Sequence, residues 1–324
     1  MRIIVTGGAG FIGSHFVRQA VQNQYPALAG AELVVVDKLT YAGRKENLAP
    51  VLADPRVRFV QGDICDTELM RDVLRNTDLV VHFAAESHVD RSISGAAEFV
   101  RTNVLGTQTL LSAALEAEVG KFVHVSTDEV YGSLDADGTP WTEEEPLSPN
   151  SPYAASKASA DLLVLAFHRT HGLPVCLTRG SNTYGPYQYP EKIIPLFVSR
   201  LLAGRKVPLY GDGANVRDWL HVDDHCHGVA LVAGGGEPGE IYNVGGGTEL
   251  TNRELTGRLL DLLGLDESMV ERVADRKGHD RRYAMDISKI SGALGYKPAV
   301  PFDEGLAATV DWYRRHQGLW GEDA

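Results

Sequence analysis

Thr6-Gly7-Gly8-Ala9-Gly10-Phe11-Ile12-Gly13 follows the apolar run Arg2-Ile3-Ile4-Val5 and precedes a helix-like stretch from Ser14 to Gln22. Strand, glycine turn and helix in that order is the setting a dinucleotide-binding fingerprint requires. The glycines satisfy both G-x-G-x-x-G, through Gly8, Gly10 and Gly13, and the wider G-x-x-G-x-x-G, through Gly7, Gly10 and Gly13. Either way they permit a tight turn, let a pyrophosphate approach backbone amides at the helix N-terminus, and let the helix lie close on the strand.

Working outward, Glu32-Leu33-Val34-Val35-Val36-Asp37 reads as a second strand ending in an acid, 24 positions beyond Gly13. An acid there grips an adenosine ribose and repels a 2'-phosphate, so the expected cofactor is NAD rather than NADP. Strand and helix continue to alternate. Val57 to Gln61 ends at Gly62-Asp63-Ile64, a place for an adenine-edge contact. Leu79 to Phe83 ends at Ala84-Ala85-Glu86-Ser87-His88, and Lys121 to Val125 ends at Ser126-Thr127. Each candidate thus sits just past the carboxyl end of a strand, where an open parallel sheet places its ligands. The fold expected is a Rossmann-type, doubly wound parallel α/β sheet with a smaller C-terminal α/β substrate-binding lobe. The dinucleotide-binding domain spans 1–183 with 218–247 returning to it, and the lobe takes 184–217 and 248–324.

The chemistry is concentrated in Ser126-Thr127-Asp128-Glu129 and in Tyr153-Ala154-Ala155-Ser156-Lys157. Tyr153 and Lys157 are four residues apart and share a face if the segment is helical. A neighbouring cation, an oxidised nicotinamide ring included, brings a phenol towards the working range of a general base. Thr127 can hold the hydroxyl that Tyr153 deprotonates. Asp128 and Glu129 would point to opposite faces of a regular strand. Both serve one substrate only if the chain bends there. His88 reads as a hydrogen-bonding structural residue near the sheet edge.

The 324 residues are 44% hydrophobic and 23% charged, with ample material for a core. A formal net charge of -12 argues against a nucleic-acid surface and against attraction to anionic lipid. Cys65, Cys176 and Cys226 have no metal-ligand spacing, so reduced thiols and no metal are expected. A strand rather than a signal peptide opens the chain and no long apolar span follows, which makes the cytoplasm the expected location.

Taken together, the glycine motif, Asp37-Lys38-Leu39-Thr40-Tyr41-Ala42-Gly43, Ala84-Ala85-Glu86-Ser87-His88-Val89-Asp90, Thr127-Asp128-Glu129-Val130-Tyr131-Gly132 and Tyr153-x-x-x-Lys157 resemble the extended short-chain dehydrogenase/reductases. More narrowly, they resemble the dTDP-glucose 4,6-dehydratase family, and the Thr-Asp-Glu triplet is the most specific mark. The resemblance implies an NAD-dependent, redox-neutral reaction on dTDP-glucose. Tyr153, assisted by Lys157 and Thr127, takes the 4-hydroxyl proton as hydride leaves carbon 4. Glu129 then removes the carbon-5 proton, Asp128 protonates the departing 6-hydroxyl, and hydride returns to carbon 6. It also implies cofactor contacts from Gly7, Gly10, Phe11, Ile12, Gly13, Asp37, Lys38, Leu39, Thr40, Asp63, Ile64, Phe83, Ala84, Ala85, Ser87, Thr102, Tyr153, Lys157 and Thr183.

For the nucleotide sugar, the resemblance implies Ser87, Thr127, Asp128, Glu129, Asn182, Lys192, Ile193, Lys206, Pro208, Tyr210, Arg217, Asn252, Arg276 and His279. Lys192, Arg217, Arg276 and His279 would gather the positive charge that a diphosphate needs. Lys277, Thr183 and His221 depart from the family pattern, which commonly has proline, asparagine and tyrosine there. A helix expected from Ala96 to Glu118 carries Val104, Leu105, Leu110, Leu111, Ala114 and Leu115, more apolar surface than one buried face needs. With the resemblance, this implies a homodimer.

Overall fold

Ile3, Ile4 and Val5 are all fully buried, as in a central parallel strand covered on both faces. In the computed structural model, which describes residues 1–319, they belong to the first of twelve strands. In chain order these are β1 (Arg2–Thr6), β2 (Glu32–Asp37), β3 (Val57–Gln61), β4 (Leu79–His82), β5 (Lys121–Thr127), β6 (Val175–Gly180), β7 (Asn182–Tyr184), β8 (Val207–Tyr210), β9 (Val216–His221), β10 (Ile241–Val244), β11 (Thr248–Thr251) and β12 (Val270–Val273). Seven of them form one parallel sheet in the order β10-β6-β5-β4-β1-β2-β3. The order reverses between β1 and β4, and the cleft at that switch point is where such a sheet places ligands.

Alternation along β1 divides the core. Ile3 and Val5 join Phe16, Val17, Val229 and Val232 on one face, beneath the helices Phe11–Val21 and Val222–Gly235. Ile4 joins Val34, Val36, Leu110, Leu111 and Val164 on the other, beneath Thr107–Glu116 and Pro152–His171. The doubly wound parallel sheet is as the sequence implies, and β10 returns from late in the chain to complete it beside β6. β7, β9 and β11 form a second sheet, and β8 pairs with β12. Phe197, Val198, Trp219, Leu255, Leu259, Phe302 and Leu306 make a separate core around those strands.

The segment from Ala96 to Glu118 is not the single regular helix its composition suggests. A helical turn, Ala96–Phe99, runs into a π-helical stretch, Val100–Gly106, before Thr107–Glu116 continues as α-helix. The wider turn sets the buried Asn103 side chain against Glu86 and Ser156: its Oδ1 accepts from Glu86 N at 2.8 Å and its Nδ2 donates to Glu86 O at 3.0 Å and to Ser156 Oγ at 2.8 Å. Those bonds fix the loop after β4 to the helix that carries Tyr153. Period counting does not register this insertion.

Gly7 turns the chain at φ +67, and a Cβ there would lie 2.5 Å from Ala84 N. Both strain and contact therefore oppose a side chain. Gly7→Ala is expected to lower unfolding free energy by about 2 kcal/mol, measured by denaturant titration. Wild-type stability would contradict the close approach of the first turn to the β4 loop.

Candidate active site

The carboxyl ends of β1, β2, β4, β5 and β6 open on one cleft. Its floor at one end is Gly7, Gly10, Phe11, Ile12 and Gly13. A Cβ on Gly13 would stand 2.3 Å from Gly7 O and 2.9 Å from Gly8 Cα, so only hydrogen fits between helix and turn. Gly10 begins the helix without a side-chain cap, which leaves the first-turn amides available to an acceptor. At the end of β2, Asp37 accepts hydrogen bonds from Ala9 N at 2.9 Å and Leu39 N at 2.8 Å. Burial raises its pKa and those amides only partly offset it. Asp63 takes the Lys38 ammonium at 2.9 Å. A glycine cradle that any Cβ would fill, an acid at the second strand and an adenine-sized edge at Asp63 and Ile64 fit a dinucleotide.

At the other end β5 stops at Thr127 and the chain tightens into a 3₁₀ turn, Asp128–Tyr131, capped by Thr127 Oγ1 accepting from Glu129 N at 3.3 Å. This is the bend that lets adjacent acids face one cavity. Asp128 is 2% exposed, and its Oδ2 has no hydrogen-bond partner among the described residues. Burial, then Glu129 and Asp218, pushes its carboxyl well above the ordinary range. Burial raises Glu129 as well, and Lys192, Arg276 and Arg217 offset it in part. The two carboxyls thus differ in the sense a proton donor and a proton acceptor require.

Tyr153 and Lys157 lie one turn apart on the helix Pro152–His171, started by Ser151 Oγ accepting from Ala154 N. Burial, then Glu129, pushes the Tyr153 phenol upward, and a hydrogen bond with Thr127 works the other way. Burial and the anions nearby prevail, so the expected lowering of this phenol is not reached in the chain by itself. Lys157 is buried, its Nζ donates to Val125 O at 2.8 Å, and burial lowers its pKa to about 8.

From the substrate side, Asn182, Thr183, Lys192, Ile193, Pro208, Tyr210, Arg217, Asn252, Arg276 and His279 line the same cleft, as do Thr40, Phe83, Ala84, Ala85, Ser87 and Thr102 from the other. Lys192 Nζ donates to Ser87 O at 2.6 Å, joining the two sides. Arg217 donates to Val216 O and Asp280 O and lies 4.2 Å over the Tyr283 ring, a fixed rather than mobile cation. His279 is a correction to the expected charge cluster: burial holds its pKa below the ordinary value although Asp275 contacts it at 2.7 Å, so it offers hydrogen bonds more than charge.

Two residues expected in the site do not line the cleft. Leu39, at φ +58, packs its side chain against the core and contributes only its amide, to Asp37. Lys206 is exposed at the turn before β8. Conversely, Tyr41, Glu86, Gln188, Glu191, His225 and Tyr283 line the cleft without having been singled out. Tyr41 donates to Glu191 Oε1 at 3.0 Å, and Arg91 lies 3.6 Å over its ring, bridging the loop after β2 to the segment before Ile193. Tyr41 and Glu86 sat inside recognisable segments, and Glu191 directly precedes Lys192. His225, on the returning helix and 2.7 Å from Thr183 Oγ1, carried no local signal.

A family model for GDP-mannose 4,6 dehydratase matches residues 4–309. The chain is 57% identical over 321 residues to a dTDP-glucose 4,6-dehydratase of Actinoplanes sp., covering 99% of this chain and 100% of the other. It is 59% identical to a dTDP-glucose 4,6-dehydratase of Streptomyces antibioticus, over 99% of this chain and 94% of that one. A solved dTDP-glucose 4,6-dehydratase from Streptomyces venezuelae, with NAD and dTDP bound, superposes with a TM-score of 0.98 at 64% identity, covering 100% of this chain and 99% of that chain.

His88 lines the cleft but serves the backbone: its Nδ1 accepts from Arg91 N at 3.2 Å and caps the helix Val89–Ser94. Burial lowers its pKa to about 4, so the ring is neutral. His88→Ala is expected to cost about 1 kcal/mol of stability, and His88→Asn, which can accept the same bond, much less. Neither should change the shape of the pH–rate profile. A lost or shifted limb would make this ring a participant in proton transfer.

Proposed function

The chain belongs to the GDP-mannose 4,6 dehydratase family, and from that membership and the cleft's geometry we infer an NAD-dependent lyase that converts dTDP-glucose to dTDP-4-keto-6-deoxyglucose. The observation that carries this reading is the bend after Thr127, which presents two carboxyls of unlike environment to one cavity. Elimination beside a ketone needs an acid and a base at neighbouring positions. Oxidation of an alcohol alone needs neither.

NAD, held by the glycine turn and Asp37, supplies the acceptor of the carbon-4 hydride and its donor to carbon 6. Thr127 and Tyr153 hold the sugar 4-hydroxyl, and Tyr153 takes its proton. Because Glu129 and burial disfavour the phenolate, that step depends on cations nearby, of which Lys157 is the chain's own. Glu129, with Lys192, Arg217 and Arg276 favouring its carboxylate, removes the proton on carbon 5, which the ketone has acidified. Asp128, kept protonated by burial, gives its proton to the 6-hydroxyl, which leaves as water.

Residues 1–183 with 218–247 serve as the dinucleotide-binding part and 184–217 with 248–319 as the nucleotide-sugar lobe, whose expected residues 320–324 lie outside the described residues. Supporting this, β10 closes the large sheet while Phe197, Leu255 and Phe302 share the separate core. Lys192, Arg217 and Arg276 are the donors for the diphosphate. The protein works as a cytoplasmic homodimer. No helix among the described residues is long and apolar enough to cross a membrane. Val100 and Leu105 are 54% and 52% exposed, and Leu162 on the neighbouring helix is 59% exposed.

Incubation with dTDP-glucose, UDP-glucose and GDP-mannose in turn, read by mass spectrometry, should give loss of one water from the dTDP sugar. Preferred conversion of either other sugar would overturn the substrate, and none of the three reacting would overturn the activity. Glu129→Gln should slow solvent exchange of the carbon-5 hydrogen by at least about 100-fold. Light scattering should give twice the chain mass, and Leu105→Glu with Leu162→Glu the single mass. A monomeric wild type would refute the dimer.

A further inference from the structure

Beneath the cleft lies a dry charge cluster of which the reaction as described uses only Lys157. Asp161 and His124 have no exposed surface, and Arg179 and Lys157 are 2% and 4% exposed. Tyr153, Lys157 and Asp161 follow one another at intervals of four along one helix face. Asp161 Oδ2 accepts from Arg179 Nε at 3.0 Å. Arg179 Nη1 donates to Tyr131 Oη at 2.9 Å, its guanidinium lies 4.8 Å from that ring's centre, and Tyr131 donates in turn to Asn243 Oδ1 at 2.8 Å. The arginine is thereby fixed on Asp161. His124 Nε2 stands 3.5 Å from both Lys157 Nζ and Asp161 Oδ1, and burial lowers its pKa to about 4, so it separates them as a neutral ring.

β4 offers His82, kept neutral by burial. β5 offers His124, β6 offers Arg179, and the helix itself offers Asp161 and Tyr153. Glu129 and Asp128 from the bend, and Asp161 from the helix, all raise the Tyr153 phenol. The anion that acts on Lys157 is Asp161. Two cations and one anion leave the cluster with a single positive charge in excess.

We infer that Arg179 is a positioning residue: by engaging Asp161 it keeps that carboxylate from cancelling Lys157, so that the lysine's charge is left over for the Tyr153 phenolate. Without Arg179, Lys157 and Asp161 close into a neutral pair on their own helix, and the phenolate forms beside no net charge. The inference rests on Tyr153 being the base of the proposed reaction.

A charge ladder tests it. The buried excess is one positive charge in the wild type, none in Arg179→Gln, two in Asp161→Asn, and one again in the double variant, with Arg179→Lys also keeping one. The acidic limb of the kcat–pH profile should move up by about one pH unit in Arg179→Gln, equivalent to about tenfold less activity below it. It should move down in Asp161→Asn and return to the wild-type position in the double variant and in Arg179→Lys. A residue that merely supports the fold would lower kcat at every pH and leave the limb where it was, which would overturn the inference. If Arg179→Gln does not fold by circular dichroism, the charge-balanced double variant and Asp161→Asn decide. An Asp161→Asn limb at or above wild type, or a displaced limb in the double variant, contradicts it. Tyr153→Phe is measured alongside: full turnover there would refute the base assignment, whereas an inactive Tyr153→Phe with an unmoved Arg179→Gln limb would refute the Arg179 role alone.

Discussion

Dehydration of charged side chains at the carboxyl end of a parallel sheet is the constraint on which this active site depends. A sheet covered by helices on both faces has no wet side, so whatever stands at its strand ends is dry except where the cleft admits a ligand. Burial is the leading influence on Asp128, Glu129, Tyr153 and Lys157 alike. What distinguishes them is the company each keeps. Asp128 lies near Asp218, whose own carboxyl burial raises to about 6, and remains protonated. Glu129, one residue on, looks across to three cations from the smaller lobe. One turn of backbone thus gives two adjacent carboxyls the unlike environments that the proposed acid and base roles need.

That separation needs both parts of the molecule. The bend belongs to the large sheet, while Lys192, Arg217 and Arg276 come from segments that pack around the second core. Lys192 also grips Ser87 O, and Tyr41 grips Glu191, so the two walls of the cleft are tied together. The fold therefore sets the electrostatics of the acids through the relative placement of its two parts.

Much of this was legible in the chain because the signals are local. A glycine turn between strand and helix, an acid closing β2, and a tyrosine and lysine at helical spacing each declare themselves within a few residues, and the structure brings all of them to one cleft. The bend after Thr127 could be stated as a requirement before it was seen. What escaped depends on distant partners. Asn103 widens a helix because Glu86 and Ser156 are its neighbours in space, and no periodicity records that. Leu39 belongs to the right loop, but its positive φ turns the side chain into the core. Lys206 stands exposed just before β8, outside the cleft lining. His279 loses its expected charge to burial, and His225 reaches the cleft only because its helix returns from late in the chain.

The central claim is that oxidation at carbon 4 and reduction at carbon 6 are two halves of one turnover inside one cleft. dTDP-glucose deuterated at carbon 4 is incubated with the purified protein without added NAD, and the product is read by mass spectrometry and NMR. The account predicts loss of one water with the deuterium retained and found at carbon 6. Water loss with the deuterium absent from carbon 6 would contradict internal return of hydride, and with it the reading of this cleft as a redox-neutral dehydratase.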